Sequence, residues 1–571
     1  MADKFTSLSD KKKCEKLNQR YEVLKKERDP WLARWKDVSK YVKPEETSFA
    51  AWNRGKYSTT DSQYVYSNAP TKAFDTLVAG LAGGATSPAR KWFKITPNNP
   101  LGGQIPDSVK KWCSDVENIL IKTFHDSNTY NSLHSLYKHL CLFGIGADII
   151  STDPDNVVSH LVLEPGSFCI QSDSRGVVNT LYREFEMTVA QLVERFGWDN
   201  VSNKTRELFE SGHVDNKFLI CHAIEPRSVR DHKALDNKNM PFASYYFYLE
   251  KGDKEGIILE ESGYQIFPVI CPRWDVITSN NYGSSPAMAA LPNIKQLQVE
   301  VKLKLQLLEL MADPPLIAPH AARQEPISMM PGSINYSTGL DMEIKPIING
   351  TAAIDALTAD IYNLQREIES DFYSDLFLMI QSQQDDRKTA TEIQALKEEK
   401  MLVLGPVIER LQHELLEPLI DLTIDALATS DMLPPAPGEL AQEGLSLEAE
   451  FSSMLAQSQR VEDINAMDRF ISAITAVAGS RPEILDNINP DSYFRLYMER
   501  MGINPGIALD QNEVDQVRQQ RADAAAAAQQ AEQMQAAGAL ATDLTNAQRN
   551  SAQASLATQK LDEVGGMAGL F

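Results

Sequence analysis

From Ile354 to Ile380 an apolar side chain recurs at every third or fourth position: Ile354, Leu357, Ile361, Leu364, Ile368, Phe372, Leu376 and Ile380, with no glycine or proline between them. Only a helix of about seven turns puts such a series on one side. A second long segment, 287–312, precedes it, with Leu291, Ile294, Leu297, Val301, Leu305 and Leu308 at helical steps and no glycine. Its run VEVKLKLQL also alternates with period two. A strand of 26 residues would far exceed the usual length, so helix is the reading. Between the two lies 313–350, dense in proline and glycine with short apolar pieces, which fits a small β-containing lobe. Both stripes exceed what one antiparallel pair needs, and packing against further copies would cover the rest.

The remainder divides sharply. All seven tryptophans and all six cysteines precede residue 275. There, 157–163, 177–185, 217–225, 242–249 and 266–277 are short, β-branched or aromatic, and separated by turn residues, as strands are. Residues 188–211 read as a helical insertion, so this half is α+β with a mainly antiparallel sheet. Trp92 and Trp274, beside proline-containing turns, are assigned to the core. Near the N-terminus, Leu17, Tyr21, Leu24, Trp31, Trp35, Val38 and Val42 keep helical spacing across Asp29-Pro30, where one helix is expected to end and another to open.

Past 380 a polar loop leads to Thr389 and Glu392, spaced as a capping box for a third long helix towards 430, kinked at Gly405-Pro406 and Pro418. Pro434, Pro435 and Pro437 mark a linker, and 445–500 reads as amphipathic helix with no strand signal. From 522 the tail is rich in Ala and Gln; a packed helical collar and a frayed tail are both open.

The 571 residues suffice for several domains. With 56 basic against 78 acidic side chains the net charge is −22, which argues against a generic coat for nucleic acid. The first 60 residues nevertheless carry 15 basic and 9 acidic groups. They form either a solvated face or a contact to scaffold, capsid or nucleic acid. The start, MADKFTSLSDKKKCEK, lacks an apolar signal core, and the cysteines have no CxxC spacing, so reduced thiols in a cytosol are expected. No apolar stretch approaches the roughly 18 to 20 residues of a membrane span.

Motifs for chemistry are missing. There is no GK[ST] phosphate loop, and the cluster Gly80–Gly84 lacks the lysine. His134 and His139 are five apart, His413 stands alone, and no GxSxG elbow occurs. The acids of Glu367–Asp375 read as a solvated helix face. No catalytic, cofactor or metal-ligating residue is assigned, and the chain is read as non-enzymatic. Two rivals remain: a helical scaffold that binds proteins without forming a channel, and a metal-dependent nuclease built from scattered carboxylates, testable by Mg²⁺-dependent DNA cleavage.

Four stretches, LAGGATSPARKWFKI (81–95), FPVICPRWDVITSNNYGSSPAMAALPNIKQLQ (267–298), PGSINY (331–336) and KTATEIQALKEEKMLVLGPVIERLQHELLEPLID (388–421), stand in an order and on elements that resemble the portal proteins of tailed phages. More narrowly, the chain is similar to the head-to-tail connector family of short-tailed phages from about residue 15 to 500. The resemblance implies a dodecameric ring at one capsid vertex around a channel for double-stranded DNA. The architecture it implies has a mixed α/β wing at 1–286, a first stem helix at 287–312, a clip at 313–350 and a second stem helix at 351–380. A tunnel loop at 381–389, a kinked wing helix at 390–431, a helical crown at 432–520 and the Ala/Gln-rich tail at 521–571 complete it.

Implied partners are terminase and then a tail adaptor at the clip, the major capsid and scaffolding proteins, and internal core or ejection proteins at the crown, with no membrane. The site would be the virion's head–tail junction, reached after assembly in the host cytoplasm. Twelve copies at −22 give roughly −264 against DNA with about one negative charge per 1.7 Å, so a few basic rings would centre a sliding duplex without gripping it. The candidates are Arg387 and Lys388 of the tunnel loop, with Gln381, Gln383 and Gln384 as uncharged contacts, and Lys295, Lys302 and Lys304 of the first stem helix. Alternatively these cations are solvated or form intersubunit ion pairs with acids of the second stem helix. His320, Arg323, Gln324 and Glu325 are the candidate docking surface of the clip.

Overall fold

In the computed structural model of the chain the described residues are 10–47, 65–98, 106–231, 233–234, 236–249, 257–276, 280–312, 316–317, 345–346, 351–374, 377, 404–438, 446–451, 466–476, 489–501 and 511–565. The fold is mixed α+β. Its first helix, α1 (Asp10–Val42), runs straight through Pro30, so the expected break at Asp29-Pro30 is a correction. A proline inside a helix forfeits one hydrogen bond and crowds the preceding turn. Here the buried seam of Leu17, Tyr21, Leu24, Arg28, Trp31, Trp35, Val38 and Val42 continues on both sides of it. Trp35 Nε1 donates to the Phe143 carbonyl at 2.9 Å and Arg28 Nη1 to that of Gly166 at 2.6 Å, which fastens both halves to the same body.

That body is a five-stranded antiparallel sheet in the order β4 (Phe168–Ser172), β5 (Val178–Thr188), β6 (Lys217–Pro226), β7 (Phe242–Tyr248) and β8 (Ile258–Tyr264). Side chains alternate between its faces. One face packs Cys169, Tyr182, Cys221, Ala223 and Phe247 on Leu17, Tyr21 and Leu24 of α1. The other receives the insertion between β5 and β6: α5 (Val189–Phe196), opened by a Thr188/Gln191 capping box, and α6 (Asn203–Glu210), capped by Ser202. Val189, Leu192 and Phe196 meet Phe218, Ile220, Tyr246 and Tyr248 there.

Beside this sheet, α2 (Ala69–Ala85), α3 (Asp107–Asp126) and α4 (Thr129–Phe143) accompany a three-stranded sheet of β3 (Val157–Val162), β2 (Asp148–Asp153) and β9 (Val269–Ile270). The strand expected over 266–277 shrinks to those two residues and isolated bridges at Arg273 and Asp275, because Pro268 and Pro272 bracket it and cannot donate to a ladder. At the end of α4, Gly144 turns with φ +75, and a Cβ there would lie 2.4 Å from the Gly283 carbonyl oxygen. That contact seats the chain just before the next long helix.

The long helix α7 spans Pro286–Ala312. After it, the pair β10 (Leu316–Ile317) and β11 (Lys345–Pro346) puts antiparallel structure into the Pro/Gly-rich segment. Helix α8 covers Thr351–Asp371 and stops short of the expected 380. Tyr373 takes φ +53, and Ser374 Oγ bonds back to the Glu369 carbonyl at 2.8 Å. The interruption still leaves Phe372 and Phe377 buried: Phe372 lies edge-on to Phe74 of α2, and Phe377 covers Gly80, where any side chain would collide with its ring. Leu376 and Ile380 are outside the described residues.

From 404 the chain is helical to Thr429, with a π turn at Gln412–Leu416. The cause is Pro418, which has no N–H for the Glu414 carbonyl; the ladder slips to a Glu417 N–H to Gln412 O bond instead. The all-helix expectation for 445–500 fails at its start. Ser446–Phe451 is a strand, β12, paired antiparallel with β1 (Phe93–Asn98) from Phe93 opposite Phe451 to Asn98 opposite Ser446. Trp92, Phe93, Phe124 and Phe451 stack around the pair, and Trp92 and Trp274 are both buried as expected.

The chain forms two compact units, Met1–Gly103 with Trp112–Ala466, and Gln104–Lys111 with Met467–Phe571. The second contains helix Pro490–Met501, joined to the 466–476 helix by Tyr493 Oη to Met467 O (2.9 Å) and Tyr497 Oη to Asp468 Oδ1 (3.1 Å). It also holds a 55-residue helix, Gln511–Gly565, whose Arg518 grips Asp491 with two bonds of 2.6 Å. Along that helix Met534, Leu540, Leu544 and Leu556 are exposed.

Burial sets one pH dependence. His139 on α4 is driven down to about 4, by desolvation first and by Lys138 second, and its Nδ1 has no partner among the described residues. A native pKa below the ordinary histidine value of about 6.5 leaves stability intact above that pH. Stability is then withdrawn as pH falls towards about 4. The loss attributable to this ring is on the order of 3 kcal/mol. Chemical denaturation between neutral pH and pH about 4 should therefore show a smaller acid loss for His139→Phe than for the parent; equal losses would exclude this histidine as the cause.

Candidate functional site

The two long helices carry the feature that ordinary folding of one chain leaves unexplained. Helix α7 begins buried, with Ala287, Ala290, Ile294 and Leu297 fully covered. From Val299 onwards its apolar residues emerge: Val299 is 57% exposed, Leu303 47%, Leu305 52%, Leu308 43% and Leu310 43%. Across from it α8 buries Ile361, Leu364 and Ile368 yet leaves Tyr362 67% exposed. The exposed residues of α7 fall on two sides of the helix, Val299, Leu303 and Leu310 on one and Leu305 and Leu308 on the other, and exposed apolar groups in this number are what interaction surfaces present.

The pair is antiparallel, since Asn293 near the start of α7 donates to Asp371 at the end of α8 at 3.2 Å. Midway, Glu300 faces Asp360. Burial first, and then that neighbouring carboxyl, raises the Glu300 pKa, while Gln296 Nε2 donates to Glu300 Oε1 at 2.8 Å. Next to it Gln298 clasps the chain ahead of α2: its Oε1 accepts from the Tyr66 and Ser67 N–H groups at 2.6 and 2.8 Å, and its Nε2 donates to the Ser67 carbonyl at 2.9 Å.

The lysines expected to face DNA are placed as follows. Lys295 pairs with Asp37 of α1 at 2.8 Å and lies over the Tyr41 ring. Lys302 is exposed above the Tyr66 ring at 5.8 Å, and Lys304 is half-buried. Gln381, Gln383, Gln384, Arg387 and Lys388, like His320, Arg323, Gln324 and Glu325, lie outside the described residues.

A joint not foreseen from the sequence ties α7's approach to the kinked helix. Arg273 is buried and makes a bidentate pair with Glu414, Nη2 to Oε1 at 2.5 Å and Nε to Oε2 at 3.1 Å, while its backbone N–H reaches Oε2 at 2.9 Å. Its Nη2 also donates to the Gly176 carbonyl at 2.8 Å. Glu414 sits in the π turn created by Pro418, so the proline determines where the carboxylate points. On the same segment Arg410 reaches the Trp274 carbonyl at 3.4 Å.

Groups that resemble catalytic machinery are sealed. Asp148, His160 and Thr129 form a chain of bonds of 2.6 and 2.9 Å, but all three are buried and serve to hold the start of α4 against β2 and β3. The six cysteines are buried and form no disulfide, and burial lifts Cys113 to about 11 and Cys169 to about 12, which keeps those two as thiols at neutral pH. Among the described residues no group of three or more His, Cys, Asp or Glu is placed to hold a metal ion, and no helix is long and apolar enough to cross a membrane.

The model of the family described as bacteriophage head to tail connecting protein matches residues 14–508. The "Probable portal protein" of Bordetella phage BPP-1 is 40% identical over 519 residues, covering 90% of this chain and 92% of the relative. The "Portal protein" of Salmonella phage epsilon15 is 34% identical over 546 residues, covering 95% and 97%. Among solved structures, a chain in the neck of an empty GTA particle aligns with 78% of this chain and 94% of its own length at 11% identity and TM-score 0.34. A chain in the neck of a native GTA particle aligns over 76% and 94%, at 12% identity and TM-score 0.31.

Proposed function

Because the chain belongs to the bacteriophage head-to-tail connecting protein family, we propose that it is the portal subunit of a phage head, a ring component through which double-stranded DNA enters and leaves. The likeness to two phage portal proteins over nine-tenths or more of each chain carries this reading. The exposed apolar end of α7 supports it, because a closed ring covers the same residues on every copy through one repeated contact.

In this reading twelve copies surround the channel. Helices α7 and α8 form its stem, the segment between them meets terminase and later the tail adaptor, and the crown at 432–520 faces the head interior. Capsid and scaffolding proteins surround the ring at one vertex of the virion. ATP hydrolysis belongs to the terminase; this chain supplies geometry and charge. The acidic excess of 78 over 56 prevents DNA from being held fast, and Lys302 and Lys304, with Arg387 and Lys388, provide local positive charge that positions phosphates without reading bases. Lys295, committed to Asp37, contributes less to that charge.

Replacing Arg387→Ala and Lys388→Ala together tests the DNA contact. The variant should assemble as the parent does and yet retain or translocate DNA less efficiently, scored as the fraction of particles holding a full genome. Packaging and ejection equal to those of the parent would remove 381–389 from the mechanism.

A further inference from the structure

On the face of the large sheet that carries α5, one row of side chains crosses all five strands: Phe168, Arg183, His222, Tyr246 and Glu260 stand opposite one another in register. Arg183 is only 8% exposed. Its Nε–H donates to His222 Nδ1 at 3.2 Å, and His222 Nε2 donates in turn to Ser244 Oγ at 2.9 Å. The imidazole lies flat on the Tyr246 ring, centroids 3.9 Å apart and planes within 7°. Burial, Arg183 and Arg195 all disfavour its charged form, so the histidine is a neutral acceptor that fixes the guanidinium. From α5 the exposed Arg195 covers the same Tyr246 ring at 4.5 Å.

Two guanidinium groups therefore converge on one tyrosine. Among the described residues neither forms an ion pair with a carboxylate. Glu260, on the same face, pairs with neither, and Glu186 pairs with Lys217. The comparison within the chain is direct, since the equally buried Arg227 has Glu261 at 3.1 Å and Arg273 has Glu414. A buried cation without a counter-charge is costly, and a second cation beside it adds to the cost.

We propose that Arg183 and Arg195 form a binding site for an oxyanion, filled in the assembled ring by a carboxylate side chain of a neighbouring copy. This inference rests on the ring reading above. An oxyanion suits two guanidinium groups that each offer N–H donors. A duplex presents phosphates along a smooth surface and meets exposed cations, whereas Arg183 is only 8% exposed, which favours a single flexible side chain or a free anion. The chain itself supplies acids in excess, 78 against 56 basic groups.

The test uses the full-length protein. Inorganic phosphate, compared with chloride at equal ionic strength, should raise the thermal midpoint of subunits and not that of the Arg195→Ala variant. In sedimentation velocity, Arg195→Glu should weaken ring formation about tenfold or more, with unchanged circular dichroism, since Arg195 is exposed. A phosphate effect without a ring effect overturns the neighbouring copy as the source and leaves a free oxyanion as the ligand. No phosphate effect together with parental ring formation overturns the site. If the parent itself forms no rings, the portal reading fails, and the phosphate arm still decides whether the site exists.

Discussion

Replacing Glu414→Ala should destabilise the first unit by roughly 3 kcal/mol, the lower end of the 3–5 kcal/mol expected for breaking a buried ion pair, because Glu414 keeps some exposure. The substitution strands Arg273, 95% buried, with its guanidinium and its own backbone N–H both deprived of the carboxylate. Denaturant unfolding followed by tryptophan fluorescence reads this unit, since all seven tryptophans precede residue 275. A loss below about 1 kcal/mol, the range of an exposed pair, would show that the joint is solvated. Replacing both partners with methionine should recover much of the stability, as it removes the stranded charge along with the pair.

The second large effect concerns assembly and leaves folding alone. Leu305→Glu with Leu308→Glu should reduce ring formation at least about a hundredfold, since each apolar anchor at the centre of an interface is worth about 2 kcal/mol or more and every subunit boundary carries the change. The subunit itself should tolerate them, because the two leucines are 52% and 43% exposed in the isolated chain. Light scattering and circular dichroism on the same sample separate the outcomes. Intact rings would move the interface away from this end of α7; an unfolded chain would show that α7 depends on these residues within one copy.

Much of this was legible in the sequence where a pattern repeats locally. The stripe of α7 and the strands β5, β6 and β7 announce themselves through spacing, and α5 through Thr188 and Gln191. What failed needed information from elsewhere in the chain. Pro30 reads as a break until Trp35 and Arg28 are seen gripping carbonyls 108 and 138 residues away. Ser446–Phe451 is six residues with no turn signal of its own, and it becomes a strand only because Phe93–Asn98 offers an edge. Helix α8 ends at Asp371 although its stripe runs on, because Tyr373 takes a left-handed φ of +53, and Phe377 beyond it packs on Gly80. The Arg273–Glu414 joint joins residues 141 apart, and only the unusual Pro418 hinted that its helix would be irregular. The stem lysines were visible as charges, but Asp37, the partner of Lys295, was not.

The central claim is that this chain closes into a ring through the exposed end of α7. Mass by light scattering on purified full-length protein, with end-on views of the same sample by negative-stain microscopy, tests it most directly. The account predicts particles near 760 kDa, twelve chains of 63.7 kDa, with an open centre. A single species of 63.7 kDa, without rings at any concentration or salt, would contradict it.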